Sequence, residues 1–275
     1  MGTAENPEYV LGHAANELDR LIRQAAFFGD LTAHTLKLAG VGPGMRVLDV
    51  GCGAGDVSLL AASLVGPSGS VTGVDVNADA VKFARARIES AKIPNITIEA
   101  GDITKLPYAA EFDAVIGRLV LMYLGDQVAG ITAFRSYLKP GGLIYFQEFC
   151  VPGVMSVPPV QTYQQARHYI EETFARAKIT LYTGMHLARI YREAGLPVTS
   201  MLGMSRVESG PDSPAYEYMA QTVRSLLPLI EKMGVATAAE VQIDSLAARL
   251  REETVASNAT LHLPELIAGW TRVPA

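Results

Sequence analysis

The chain has 275 residues, 49% of them hydrophobic, and its 23 Lys and Arg against 28 Asp and Glu give a formal charge of −5. A mildly acidic chain with dispersed cations lacks the basic stripe that nucleic acid or an anionic membrane requires. No run of eighteen apolar residues offers a membrane span, because Arg118 interrupts the longest.

Two cysteines, Cys52 and Cys150, are poor material for a disulfide framework and suit a reducing compartment. The first residues carry no basic and apolar leader, so a soluble, cytoplasmic protein is expected. The length fits one α/β domain with helical additions.

Leu18, Leu21, Ile22, Ala25 and Phe28 recur at helical spacing, and a second helix is expected over residues 31–38. Val47-Leu48-Asp49-Val50 then reads as a buried strand, Gly51-Cys52-Gly53-Ala54-Gly55 as a tight loop, and Asp56 opens a helix. Glycines there let backbone approach a ligand, and the N–H groups of a helix start attract an electron-rich group. The spacing GxGxG then Asp differs from the dinucleotide fingerprint, which wants a third glycine where Asp56 stands.

Val71-Thr72-Gly73-Val74-Asp75 gives a second strand ending in a carboxylate that can take a ribose diol. Asp79 is read as the cap of the next helix, which carries Val81, Ala84 and Ile88 on one face. Residues 95–100 form a third strand before Gly101-Asp102-Ile103, and residues 112–117 a fourth, leading to Arg118. Asp126 caps a helix with Val128, Ile131, Phe134 and Leu138, expected to stop at Pro140-Gly141-Gly142. Residues 143–149 are the fifth strand. Such alternation implies a parallel sheet covered on both faces, with ligands outside the strands' carboxyl ends.

Taken in order, the glycine loop, Asp75, Gly101-Asp102-Ile103 and Leu138-Lys139-Pro140-Gly141-Gly142 resemble the class I S-adenosylmethionine (SAM)-dependent methyltransferases, in particular their small-molecule (UbiE/type 11-like) branch, over about residues 40–150. The resemblance implies a Rossmann-like, seven-stranded, mostly parallel sheet with helices on both faces and a helical lid at the carboxyl edge. It implies SAM as cofactor and S-adenosyl-L-homocysteine as product. The implied contacts are the backbone of Gly51, Cys52 and Gly53 beneath the methionine portion and Asp75, with Val76 beside it, on the ribose. Asp102 and Ile103 would hold the adenine, and Arg118 would meet the methionine moiety. The N-terminal helices would close over the cofactor, with Tyr9 reaching its carboxylate and Gln24 behind it.

Beyond residue 150 the pattern breaks. Pro152, Pro158 and Pro159 enclose a connection, residues 161–177 read as an extra helix, and a sheet-covering helix follows over 184–194, stopped by Gly195. A sixth strand over 198–207 and a last strand over 259–270 enclose helices at about 213–232 and 238–255. The expected organisation is N-terminal helices at 1–40, a SAM-binding core at 41–150, a helical lid insertion at 151–180, and the rest of the core at 181–275 with an insertion at about 210–256. Insertions after strands five and six must emerge above the site. Their Met155, Tyr163, Tyr169, Tyr182 and Met185, and further on Met201, Met204, Tyr216, Tyr218 and Met219, suit an apolar organic substrate with a few polar handles.

Methyl transfer from a sulfonium needs positioning first and a base only if the nucleophile starts protonated. His168, His186, Tyr163 and Glu148 are the candidate bases. No HxxxH, CxxC or carboxylate cluster at ligand spacing argues for a metal, and no GxSxG elbow for a serine nucleophile. The expected partner is a small molecule and neither nucleic acid nor membrane, with a homodimer admitted. The acceptor atom, O, N or C, stays open. Two rival readings are a SAM-binding protein that catalyses a cyclisation or rearrangement and, with less support, an NAD(P)-dependent oxidoreductase, against which the glycine spacing and the lack of a YxxxK pair argue.

Overall fold

A run such as Val47–Val50, apolar on both sides of the pleat, belongs in the middle of a sheet covered on both faces, and that is where it lies. The computed structural model describes residues 15–197 and 200–274. Tyr9 lies outside them, as do residues 198 and 199 of the expected sixth strand.

In chain order the first half comprises α1 (Ala15–Ala39), β1 (Arg46–Val50), α2 (Asp56–Val65), β2 (Ser70–Asp75), α3 (Ala78–Ala91), β3 (Ile96–Ala100), β4 (Phe112–Arg118), α4 (Gln127–Ser136) and β5 (Leu138–Cys150). The second half comprises β6 (Met155–Val157), α5 (Gln161–Arg176), α6 (Thr183–Glu193), β7 (Ser200–Met204), β8 (Val207–Ser209), α7 (Ala215–Lys232), α8 (Ala238–Val241), α9 (Leu246–Ala256), β9 (Thr260–His262) and β10 (Glu265–Arg272). The main sheet has the order β3-β2-β1-β4-β5-β10-β7. Its strands are parallel except β10, which runs antiparallel between β5 and β7. The seven-stranded, mostly parallel architecture expected from the resemblance is therefore present.

Several local expectations are corrected. α1 is one helix, not two: Gly29 and Asp30 sit inside it, and the usual cost of a mid-helix glycine, about 1 kcal/mol, is offset by burying Phe27 and Phe28. Asn77, not Asp79, caps α3, its side chain accepting the N–H groups of Asp79 and Ala80. α4 ends at Ser136, before the proline, because Tyr137 turns its carbonyl to Glu111 and Phe112 and Leu138 begins β5 opposite Phe112.

The expected last strand is broken at Leu263-Pro264. Its first piece, β9, pairs with β6 and β8 in a separate three-stranded antiparallel sheet. Strands of three residues leave too short a pattern to be read from sequence.

The main sheet buries one face under α4 and α6 and the other under α1 and α2. A further core joins α5, α7 and α9 to the small sheet and to Phe27 and Phe28 of α1. Phe27 stacks on Tyr218 of α7 at 4.7 Å, and Phe28 meets the same ring edge-on at 5.3 Å. Arg206 closes this seam: its guanidinium lies over the Phe27 ring at 5.1 Å, donates to both Asp30 carboxylate oxygens at 2.7 Å, and donates to the Phe27 carbonyl.

α5 starts at a residue with no capping side chain of its own. Glu253 of α9 takes over, accepting the N–H groups of Gln161 at 2.6 Å and Thr162 at 2.9 Å. This places α5 and α9 in direct mutual support.

Candidate active site

The loop after β1 puts Gly51, Gly53 and Gly55 at positive φ, +68°, +51° and +83°. At Gly51 glycine is required twice over, since a Cβ there would sit 2.6 Å from the Val120 side chain. Gly51 and Cys52 both donate to the Val74 carbonyl, at 2.8 and 3.1 Å, and Gly53 donates to Asp75 Oδ2 at 2.8 Å. Asp75 Oδ1 accepts the N–H of Asn77 at 2.9 Å. One carboxylate thus ties the β1 and β2 loops together. Burial pushes its pKa up, and the N–H groups of Asn77 and Gly53 pull the other way.

Beneath the loop, Asp49 is fully buried and accepts Ser58 Oγ at 2.6 Å. Burial drives its carboxyl up to about 7 against that hydrogen bond and the charge of Arg118. At the loop's far end Arg87 donates to the Ala54 carbonyl at 2.6 Å and pairs with Asp56 at 2.9 Å.

Next along the sheet edge, Asp102 accepts Thr104 through Oδ1 and Lys105 Nζ at 2.7 Å through Oδ2, and the lysine holds its carboxyl below the usual value. Tyr137 accepts the Leu106 N–H and donates to the Ile103 carbonyl, which fixes the backbone around Ile103. At the end of β4, Arg118 donates to Thr32 at 3.1 Å. Thr32 donates to Gln147, and Thr35 meets Tyr145, so a buried polar chain fastens α1 to β5.

These elements open on one cavity of about 1020 Å³. Gln24, Gly51, Cys52, Gly53, Asp75, Val76, Asp102, Ile103 and Arg118, all predicted cofactor contacts, line it. Opposite them, α5 contributes Arg167, Ile170 and Phe174, and α7 contributes Tyr218, Met219, Thr222 and Leu226.

None of the four candidate bases lines the cavity, and His186 is half-buried on α6. His168 is exposed on the outer side of α5, one helical step away from the Arg167, Ile170 and Phe174 stripe. Tyr163 is fully buried and donates to the His262 carbonyl at 2.9 Å. Glu148 is buried beneath the turn after β4, its Oε1 accepting the N–H groups of Val120 and Leu121 at 2.9 and 2.8 Å while burial drives its carboxyl up to about 7. It thereby holds the turn that follows Leu119, at φ +56°, whose own N–H donates to the Gln147 carbonyl at 2.8 Å.

Of the expected lid Tyr and Met residues, Tyr218 and Met219 line the cavity. Met155, Tyr182, Met185 and Met201 are exposed instead. Arg167, Tyr123 and Thr222 are lining residues that the sequence reading did not single out. The i, i+3, i+7 spacing of Arg167, Ile170 and Phe174 was the signal for the first. Among the described residues no group of three or more His, Cys, Asp or Glu is placed to hold a metal ion, and no helix is long and apolar enough to cross a membrane.

The family described as Methyltransferase domain matches residues 42–195. The demethylmenaquinone methyltransferase of Listeria monocytogenes serotype 4b (strain CLIP80459) is 30% identical over 175 residues, which cover 59% of this chain and 74% of that protein. The ubiquinone/menaquinone biosynthesis C-methyltransferase UbiE of Ectopseudomonas mendocina is 36% identical over 121 residues, 43% of this chain and 47% of the other. In fold, the chain resembles a SAM-dependent methyltransferase from Aquifex aeolicus with a TM-score of 0.52 at 17% identity, covering 74% of this chain and 95% of that one.

Proposed function

The chain belongs to the methyltransferase-domain family and is a SAM-dependent methyltransferase, and from that premise we propose that it methylates a small, largely apolar metabolite held between the sheet edge and the lid. The observation that carries this reading is the continuity of the cavity. Bare glycine-loop backbone and carboxylates line one end and the apolar faces of α5 and α7 the other.

The sheet-edge end fits the cofactor. The side-chain-free backbone at Gly51, where Val120 leaves no room for a Cβ, admits a ligand close to the chain, and Asp75 presents a carboxylate to a diol. We assign Gly51, Cys52 and Gly53 to the methionine portion, Asp75 and Val76 to the ribose, Asp102 and Ile103 to the adenine, and Arg118 with Gln24 to the amino-acid end. When bound, SAM supplies an electrophilic methyl group on a sulfonium.

The chain's own residues bind, orient and exclude water. Leu119, held by the Gln147 carbonyl, Val120, held by Glu148, and Phe149 and Tyr218 line the cavity with apolar or aromatic groups. Among the described residues no His or Glu lines it, and its aspartates, Asp56, Asp75, Asp102 and Asp126, stand on the cofactor side, so we assign the rate to positioning of the nucleophile. The dispersed cations leave nucleic acid out of the proposal. The division into N-terminal helices, core and two lid insertions is part of it.

The test incubates the purified protein with methyl-labelled SAM and candidate metabolites. Label in a small molecule supports the proposal. Label only in RNA or protein overturns the substrate class, and a SAM-dependent rearranged product without label would favour cyclisation.

A further inference from the structure

The cavity carries a charge asymmetry that methyl transfer by itself does not require. Its carboxylates, Asp56, Asp75, Asp102 and Asp126, all stand at or after the ends of β1 to β4, on the sheet-edge side, where Lys105 and Arg118 also line it. The chamber walled by residues 149–181, residues 218–226 and Pro264 presents, among the described residues, one charged side chain, Arg167.

Arg167 is built into place. α5 sets it on the same face as Ile170 and Phe174, and its Nη1 donates to the Val154 carbonyl at 2.6 Å. Its Nε is buried, makes no hydrogen bond, and lies 3.4 Å from the carboxylate of Glu171 one turn on. A guanidinium has five N–H donors, and few of them are engaged here. The side chain is 40% exposed and already has the Glu171 carboxylate as one partner, and the remaining N–H groups of its planar fork fit a second carboxylate with two parallel hydrogen bonds.

We propose that the acceptor is an apolar carboxylic acid whose carboxylate sits on Arg167, while its apolar body lies against Ile170, Phe174, Met219 and Leu226. The proposal rests on the methyltransferase reading of the same cavity. A charged handle at the lid end would turn the opposite end of the molecule toward the cofactor side, which is the orientation that methyl transfer needs. A protonated amine would meet like charge in this chamber.

The test is calorimetric titration of the full chain with 2-naphthoate and with its uncharged isostere 2-acetylnaphthalene, with and without saturating S-adenosylhomocysteine. The naphthoate should bind about 10- to 100-fold more tightly than the ketone, the range expected for hydrogen bonds to a charged group. Arg167→Met should bring naphthoate down to the ketone's level while leaving ketone and S-adenosylhomocysteine affinities unchanged. Arg167→Lys, which keeps the charge and loses the fork, should recover part of the difference.

Equal affinity of the wild type for the two probes would overturn the proposal even if Arg167→Met failed to fold. Unchanged naphthoate binding in a folded Arg167→Met protein would overturn it too, leaving Arg167 as a tie to Val154. Absence of S-adenosylhomocysteine binding to the wild type would instead remove the cofactor assignment, and the two-probe comparison would still decide the role of Arg167.

Discussion

The N–H of Gly53 and the carboxylate of Asp75, 22 residues apart, are joined by a 2.8 Å hydrogen bond that makes the glycine loop and the proposed ribose acid one unit. The acid shapes the loop as well as facing the ligand. Asp75→Ala removes a carboxylate from a ribose diol and strips the acceptor from the Gly53 and Asn77 N–H groups. S-adenosylhomocysteine affinity should fall roughly 30- to 1000-fold, or about 2 to 4 kcal/mol, and Asp75→Asn should recover thermal stability more than affinity. Calorimetry beside thermal unfolding checks both, and unchanged affinity in the alanine variant would remove Asp75 from the ribose site.

His168→Gln should leave turnover within about twofold, because an exposed side chain away from the cavity contributes little. Steady-state kinetics on the acceptor checks this. A hundredfold loss would return His168 to the chemistry.

The cap that Glu253 places on α5 should be worth about 1 kcal/mol, so Glu253→Ala should lower stability by that amount at pH 7. Burial pushes the Glu253 carboxyl up, but the Thr162 side chain and the N–H groups of Thr162 and Gln161 outweigh it and leave the pKa lowered. A depressed carboxylate stabilises the fold above its unfolded value and stops doing so as pH falls through its folded value. The gap between variant and wild type should therefore close toward acid, as denaturant unfolding at pH 7 and pH 3 would show.

Glu148 has the opposite sign. Burial raises its carboxyl from 4.5 to about 7, so the folded protein holds more protons than the unfolded chain across that window and loses stability as pH rises through it. Glu148→Gln keeps an oxygen acceptor for Val120 and Leu121 and removes this titration. Its stability should decline less than the wild type's between pH 5 and pH 8, with the share of Asp49, likewise raised to about 7, remaining. Methyl transfer should survive within a few-fold, and parallel pH profiles for the two proteins would refute the assignment.

The core of the fold was legible because its signals are local. Val47–Asp56 shows strand, loop and helix within ten residues, and the acids at strand ends recur with each βα unit. The sheet-edge half of the cavity follows from them. The half of the cavity built from α5 and α7 did not follow, because the roles of its residues are set by helix rotation and by partners far along the chain. His168 and Arg167 are adjacent in sequence, yet the 100° step of a helix sends one outward and the other to the cavity. Tyr163 finds its hydrogen bond 99 residues away, and Glu253 caps a helix 92 residues before it.

The position of β10 bears on how the protein is made. This strand is made after the other six strands of its sheet, yet it lies inside that sheet, and among the described residues β7 has no other neighbour there. Until residues 265–272 emerge, β5 is an open edge whose Ile144, Tyr145 and Phe146 are fully buried in the finished protein. The nascent chain must carry that sticky edge through the synthesis of more than a hundred residues, a span of several seconds at roughly 5 to 20 residues per second. Such an edge recruits strands from other chains. A burden on chaperones during translation, easing only when β10 slots between β5 and β7, follows from the strand order itself.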